Sequence, residues 1–352
     1  MIAGEMTTLH RLSFVCKHLA AHLLQVSGVL ALLRRRMLEG RAAVLMYHRV
    51  ISPTERHQVF SHEGMVVETD AFEMQIRCLK KHFCVRSLEE ILDDLKARRR
   101  FRSGSCLITF DDGWRDNFVN AFPVLAHYGV PATIFLSTGF VGTGRRFWQE
   151  RLSEELACAL RLAGADAQGK FKAVLDNHGI PHVIRKRRGH QKAVVGRIVQ
   201  IRKRHTQAEN EALISDLVAV AGEPAGSRPP SFFGWDDART MMAGGITYGC
   251  HGEGHRILTR LAEEEALCEI RASREALETR LGVSPRAFAY PNGDFTPRIA
   301  AQVRACGFEA AFVTRKGLLD LNSDRYALGR SNIAGSMAAC APLFQARALG
   351  IF

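Results

Sequence analysis

Six short apolar runs punctuate the chain, each stopped by polar residues or glycine. They are AVLMYH (43–48), SCLITF (105–110), ATIFLS (132–137), ITYGCH (246–251), AFAYP (287–291) and AAFVT (310–314). Runs that stay apolar on consecutive positions predict strands buried on both faces. Between them the apolar spacing predicts helices over 70–81, 87–98, 115–128, 147–163, 235–243, 262–281 and 297–305. Gly282 after LETRL fits a helix stop. Strand and helix in alternation argue for a parallel sheet or barrel with helices outside, and the roughly 200 residues involved suit a (β/α) barrel. Residues 150–230 break the alternation. They carry helical patterns and the densest basic runs, and GEPAGSRPPS (222–231) closes them as a loop. This stretch reads as a helical insertion between two barrel strands.

The N-terminal pattern is different. Residues 13–33 are rich in apolar residues but interrupted by Lys17, His18, His22 and Gln25. A membrane span needs about 20 mostly apolar residues without such breaks, and a signal peptide has a shorter uninterrupted core and a small-residue cleavage site. The segment reads as an amphipathic helix followed by the basic run Arg34 to Arg36. It is expected to dock on the main domain, with an anionic membrane face as the alternative. The expected organisation is an N-terminal helical segment over 1–40 and a main domain over 41–340 that carries the insertion. The expected location is the cytoplasm or the cytoplasmic face of the membrane.

Composition adds little that contradicts this. Of 352 residues, 47% are hydrophobic and 24% charged, which suits a soluble globular core. The formal charge is +12, partly in runs at 34–36, 98–100, 185–188 and 202–204. Such runs suit anionic partners or a plain solvated face. No nucleic-acid recognition motif accompanies them, so nucleic acid is not an expected partner. The nine cysteines include no CxxC pair, which favours small apolar roles over a zinc ribbon or a disulfide framework.

In parallel α/β folds the working residues collect at the C-terminal ends of strands. Here those ends carry Tyr47 and His48, Asp111 and Asp112, Cys250 and His251, then Pro291 and Asn292. HGEGH (251–255) offers two histidines four apart, but Gly252 and Gly254 favour a loop, and the order differs from the HExxH of zincins. Two imidazoles and a carboxylate are a common three-ligand set for a catalytic metal. Asp111 and Asp112 supply two carboxylates, which an extended backbone points in opposite directions. One can bind the metal while the other takes a proton from the attacking water. Taken singly, the histidines could be surface residues and the acids a strand-ending turn.

TFDDG (109–113), H-x-x-x-H (251–255) and FAYPNG (288–293), in this order, resemble the polysaccharide deacetylases with the NodB homology domain, carbohydrate esterase family 4. VLMYHRV (44–50) and WDDARTMMAGG (235–245) also resemble bacterial members, and the likeness covers about residues 42–335. The resemblance implies an α/β fold, a distorted (β/α) barrel of the NodB type, and removal of N-acetyl groups from amino sugars of a polysaccharide or oligosaccharide. It implies Asp111 as general base and Asp112, His251 and His255 as ligands of a divalent metal, zinc first among the candidates. Tyr290, Pro291, Asn292 and Gly293 would form the substrate and oxyanion loop.

Three positions depart from the family pattern. Gly252 stands where a hydroxyl residue usually braces the loop. Ala289 stands where an arginine often orients the catalytic acid, and Arg330 is expected to reach in instead, with Arg286 as a weaker candidate. Ser331 stands where a late histidine often serves as general acid, and His48 is the expected substitute. Two other readings stay open. One is a glycan-binding protein that kept the fold and lost activity, and the other is a hydrolase of small non-sugar amides. Trp114 and Trp148 could stack on sugar rings or pack in the core, and alternation points Cys250 away from the metal.

Overall fold

The computed structural model describes residues 8–56, 59, 61–162, 165–180, 191–222, 230–335 and 338–352. The apolar runs form its central sheet. Its strands are β1 (Ala42–Tyr47), β2 (Arg49–Ile51), β3 (Val66–Glu68), β4 (Cys84–Val85), β5 (Ser105–Asp112), β6 (Ala132–Leu136), β7 (Ile246–Cys250), β8 (Ala287–Ala289), β9 (Ala310–Phe312), β10 (Leu318–Leu319) and β11 (Ser331–Asn332). The order across the sheet is β10-β1-β5-β6-β7-β8-β9, with β4 beside β5 and β11 beside β1, while β2 and β3 pair separately. All pairings are parallel except that of β10 with β1. Every residue of β1, β5, β6, β8 and β9 is buried. Burial on both faces is why these segments are continuous apolar runs rather than alternating ones.

Parity separates the two faces. Ala42, Val44, Leu107, Phe135, Ala287, Ala289, Ala310 and Phe312 form one core cluster, while Ala43, Leu45, Ile108, Phe110, Ile134 and Phe288 join another. The sheet curls, and residues 328–333 link its two ends. The Leu328 N–H donates to Ala311 O, the Val313 N–H to Leu328 O and the Ile333 N–H to Met46 O. The result is a distorted (β/α) barrel whose seam is short irregular chain.

The described helices follow in chain order, and those outside residues 145–229 pack around the barrel. They are α1 (Thr8–Val26), α2 (Val29–Met37), α3 (Thr69–His82), α4 (Leu88–Lys96), α5 (Phe122–Tyr128), α6 (Trp148–Ala159), α7 (Ala165–Asn177), α8 (Gln191–Arg202), α9 (Gln207–Ala221), α10 (Trp235–Ala243), α11 (Glu263–Leu281), α12 (Pro297–Ala305) and α13 (Ala341–Ala348). Ser87 and Glu90 close a capping box on α4, and Gly282 ends α11 at φ 68°. The N-terminal segment is two helices rather than one, bent by 88° at the break after Val26, where Gly28 takes φ 74°. No single described helix is long and apolar enough to cross a membrane. α1 docks along α13, where Gln345 Nε2 donates to Gln25 Oε1 at 3.5 Å, and from α2 Arg34 donates to Gln345 Oε1 at 2.5 Å. The barrel unit therefore continues past residue 340.

Residues 145–229 supply most of a second compact unit. Helices α6 to α9 pack around Leu152, Leu156, Ile198, Leu213 and Leu217. Arg202, read as part of a solvated basic run, is buried there, donating to Asn210 Oδ1 and Glu209 O. The run 185–188, and positions 223–229 of the closing loop, lie outside the described residues.

Candidate active site and metal centre

β5 runs two residues further than its apolar pattern, so both acids belong to the strand end. Asp111 shares the parity of Leu107 and points into the barrel. Arg330, held in the seam between β9 and β1, meets it there. Its two terminal nitrogens lie 2.6 and 2.7 Å from the two Asp111 oxygens, and both side chains are buried. The guanidinium also donates to Val313 O at 3.2 Å and Thr109 Oγ1 at 3.3 Å, and lies over the Phe135 ring at 5.5 Å. Burial raises the Asp111 carboxyl, but Arg330, with His251 and His48, outweighs it, so the group is held below the usual carboxylate range.

Asp112 has the opposite parity and turns at the strand end with φ 80°. Strained left-handed geometry in a residue other than glycine clusters at functional sites, and His255 (φ 54°) and Asn292 (φ 61°) share it. Asp112 Oδ2 accepts from Trp114 Nε1 at 2.8 Å. Oδ1 is buried without a hydrogen-bond partner and lies 3.2 Å from His255 Nε2 and 3.5 Å from His251 Nε2. His251 Nδ1 donates to Ala289 O at 2.6 Å, which leaves Nε2 as its lone-pair nitrogen. Burial pushes the His251 imidazole down to about 4, so it is neutral at neutral pH. Burial raises Asp112, but His255, His48 and His251 outweigh it and keep it ionised. A carboxylate and two imidazoles thus converge within 4.8 Å of one another. An orphaned buried carboxylate oxygen facing two imidazole nitrogens fits a divalent cation.

The other expected residues follow the neighbouring strands β1 and β8. His48 follows β1, half-buried, with its carbonyl held by Asn117 Nδ2 at 2.8 Å and its Nδ1 buried without a hydrogen-bond partner. Tyr290, Pro291, Asn292 and Gly293 turn at the end of β8. The Tyr290 N–H donates to Phe312 O, and the Gly293 N–H to Tyr290 O at 2.8 Å. Asn292 Nδ2 is occupied by Asp294 Oδ2 at 2.7 Å. Gly293 has φ 80°, and a Cβ there would lie 2.8 Å from the Thr314 backbone nitrogen, so glycine is required by both conformation and space.

Residues 98–311 match the profile of the family described as polysaccharide deacetylase, more than half of the chain. The chain belongs to the polysaccharide deacetylase family. It is 46% identical over 116 residues to YxkH of Bacillus subtilis (strain 168), an alignment covering 33% of this chain and 38% of that protein. It is 36% identical over 112 residues to the poly-beta-1,6-N-acetyl-D-glucosamine N-deacetylase of Staphylococcus aureus (strain MSSA476), covering 30% of this chain and 38% of that one. The chain therefore spans little more than a third of the length of these relatives. Among solved structures, IcaB from Ammonifex degensii superposes with a TM-score of 0.55 at 20% identity, over 88% of this chain and 97% of that one.

Two supports of this centre escape a reading of the sequence. Trp114, weighed as a sugar-stacking residue, is buried against Phe232 with ring centroids 4.9 Å apart, and its indole donates to Asp112. It is too enclosed to meet a sugar. Glu269 on α11 lies under the histidine loop and accepts from the Gly254 N–H at 2.7 Å. A Cβ on Gly252, which has φ 79°, would lie 3.1 Å from Glu269 Oε2. The carboxylate thus braces the loop at the place where the family resemblance implies a hydroxyl. Arg286 is far from this role, since it pairs with Glu309 and Asp93. Cys250 is buried, its thiol pushed up to about 12 by burial, and lies outside the converging donor set. Trp148 packs within the second unit.

Proposed function

We propose that this protein removes N-acetyl groups from the amino sugars of a polysaccharide or oligosaccharide by metal-dependent hydrolysis. One observation carries the reading: a carboxylate clamped by an arginine stands beside a carboxylate–imidazole–imidazole set at the mouth of the barrel. Asp112, His251 and His255 would hold a divalent ion, zinc first among the candidates. Such an ion supplies Lewis acidity toward the amide carbonyl and the attacking water.

The chain's own residues do the rest. Asp111 takes the proton as the water oxygen bonds to the carbonyl carbon. Arg330 fixes its orientation, at the expense of some basicity. The Asn292 N–H, committed to neither of the two bonds of its loop, is the donor assigned to the developing oxyanion. The carbon–nitrogen bond then breaks, and the sugar nitrogen takes its proton from His48. Acetate and a free amine leave.

The test pairs metal analysis of purified protein with acetate release from an acetylated amino-sugar oligomer, with and without added zinc. The expected result is acetate release that follows metal content. Bound metal with no acetate from any acetylated glycan, but turnover of a small amide, would replace the glycan reading. Glycan binding without either turnover would mark a binding protein.

A membrane surface is the setting this reading includes. Val15, Leu19, Leu23, Val26, Val29 and Leu32 on α1 and α2 are exposed, and among the described residues Val119 is the one large exposed hydrophobic elsewhere. Arg35 and Arg36 are exposed beside them. Exposed apolar side chains beside arginines match an anionic bilayer interface. Co-sedimentation with phosphatidylglycerol vesicles, lost in Leu19→Glu/Leu23→Glu, is expected. Equal recovery of both proteins would overturn the assignment, and a wild type that dimerises without vesicles would assign the face to a second copy.

A further inference from the structure

Helix α1 carries His18 and His22, four residues apart, and Cys340, just before α13, lies against them. Positions i and i+4 share a helix face, so both imidazoles can address one partner. One ligand atom from each of the three side chains lies within 4.8 Å of the other two. Cys340 Sγ is 3.7 Å from His18 Nδ1, and a tetrahedral zinc with one sulfur and one nitrogen ligand sets that edge at about 3.6 Å. His22 Nδ1 donates to the His18 carbonyl at 2.9 Å, which leaves Nε2 as its lone-pair nitrogen. A backbone carbonyl on the other nitrogen is the usual way a metal-binding imidazole is oriented. The His18 ring is held by Phe14 at 4.4 Å between centroids.

The geometry points to a second metal site, separate from the one at Asp112, in which His18, His22 and Cys340 bind a transition metal of the zinc class. Two imidazoles and a thiolate suit borderline ions, and the lack of carboxylate disfavours magnesium and calcium. His22 is exposed, so a fourth position of such an ion would be open to solvent. The ion ties position 18 to position 340 and pins α1 to the C-terminal helix. It meets no reacting group, and the assignment does not rest on the deacetylase reading.

Cobalt(II) is the probe, loaded into the full chain after chelation, because a cobalt–thiolate bond absorbs in the near ultraviolet and the site at Asp112 has no thiolate. Two equivalents per chain and a thiolate band are expected. Cys340→Ser should remove the band and one equivalent. His22→Ala, an exposed position that leaves the core intact, should weaken that same equivalent by more than about 10-fold. Asp112→Ala should remove the other equivalent and keep the band. One equivalent without a thiolate band in the wild type overturns the site. So does a band that survives Cys340→Ser, because another cysteine would then own it. None of these readings uses turnover, so failure of the second site and failure of the deacetylase reading stay distinguishable.

Discussion

Arg330 and Asp111, 219 residues apart, form a two-pronged ion pair inside the barrel at 2.6 and 2.7 Å. The arginine sits on the seam that joins the last barrel strand to the first, and the acid sits at the end of β5. Closing the barrel and aiming the acid are therefore one event.

Arg330→Lys separates these two functions. The lysine keeps a positive charge but loses the planar fork that matches both carboxylate oxygens. The fold should survive while kcat falls by about 100-fold at unchanged metal content, since misplacing a reacting group by an ångström costs that much. Arg330→Leu should do more, because it strands a buried carboxylate. A loss of about 3–5 kcal/mol of stability is expected by denaturant melting. Wild-type kcat in the lysine variant would reduce Arg330 to a structural part.

Trp114→Phe tests the indole that donates to Asp112. The ring stack on Phe232 can persist in the smaller aromatic, while the bond to Asp112 Oδ2 cannot. Removing a partner that orients a metal ligand costs about 10–100-fold in metal affinity. Competition against a chelator should show that loss, and kcat at saturating metal should recover most of its value. Unchanged affinity would confine Trp114 to packing.

Gly252→Ser would supply the hydroxyl that the family resemblance implies at this position. It should not help here. The backbone at this position has φ 79°, and the new Cβ would press on Glu269. A loss of about 1–3 kcal/mol is expected from the strained conformation, read as a lower Tm, with no gain in activity. Glu269→Ala should lower activity instead by freeing the loop that presents His255. A stabilised and more active serine variant would refute the bracing role of Glu269.

These sites mark the boundary of what the sequence makes legible. Burial on both faces writes each barrel strand as an unbroken apolar run, so β1, β5, β6 and β7 can be read directly. Asp111, Asp112, His251 and His255 stand out because charged and imidazole groups at buried strand ends have no packing reason to be there. The seam does not stand out, since β10 and β11 hold two residues each and carry no period. Left-handed backbone at Asp112, His255 and Asn292 is equally silent, because none is glycine. Glu269 reads as one more acid on a charged helix until the loop above it is in place.

Arg286 shows a last consequence of long-range pairing. The absence of an arginine at Ala289 made Arg286 a weaker candidate for orienting the catalytic acid, but its guanidinium holds Glu309 and Asp93 instead. The hydrogen bond from Arg286 keeps the Glu309 carboxyl below its usual range despite partial burial, and does the same for Asp93. A carboxyl depressed by folding stabilises the protein above its unfolded pKa, and that contribution fades as pH falls through the folded value. Arg286→Met should therefore lower Tm at pH 7, with the gap to wild type closing from about pH 4 downward. Its kcat/KM should match wild type, because the cluster touches no group of the active site. A Tm gap that stays constant with pH would mean that the arginine stabilises through its aliphatic stem and not through its charge.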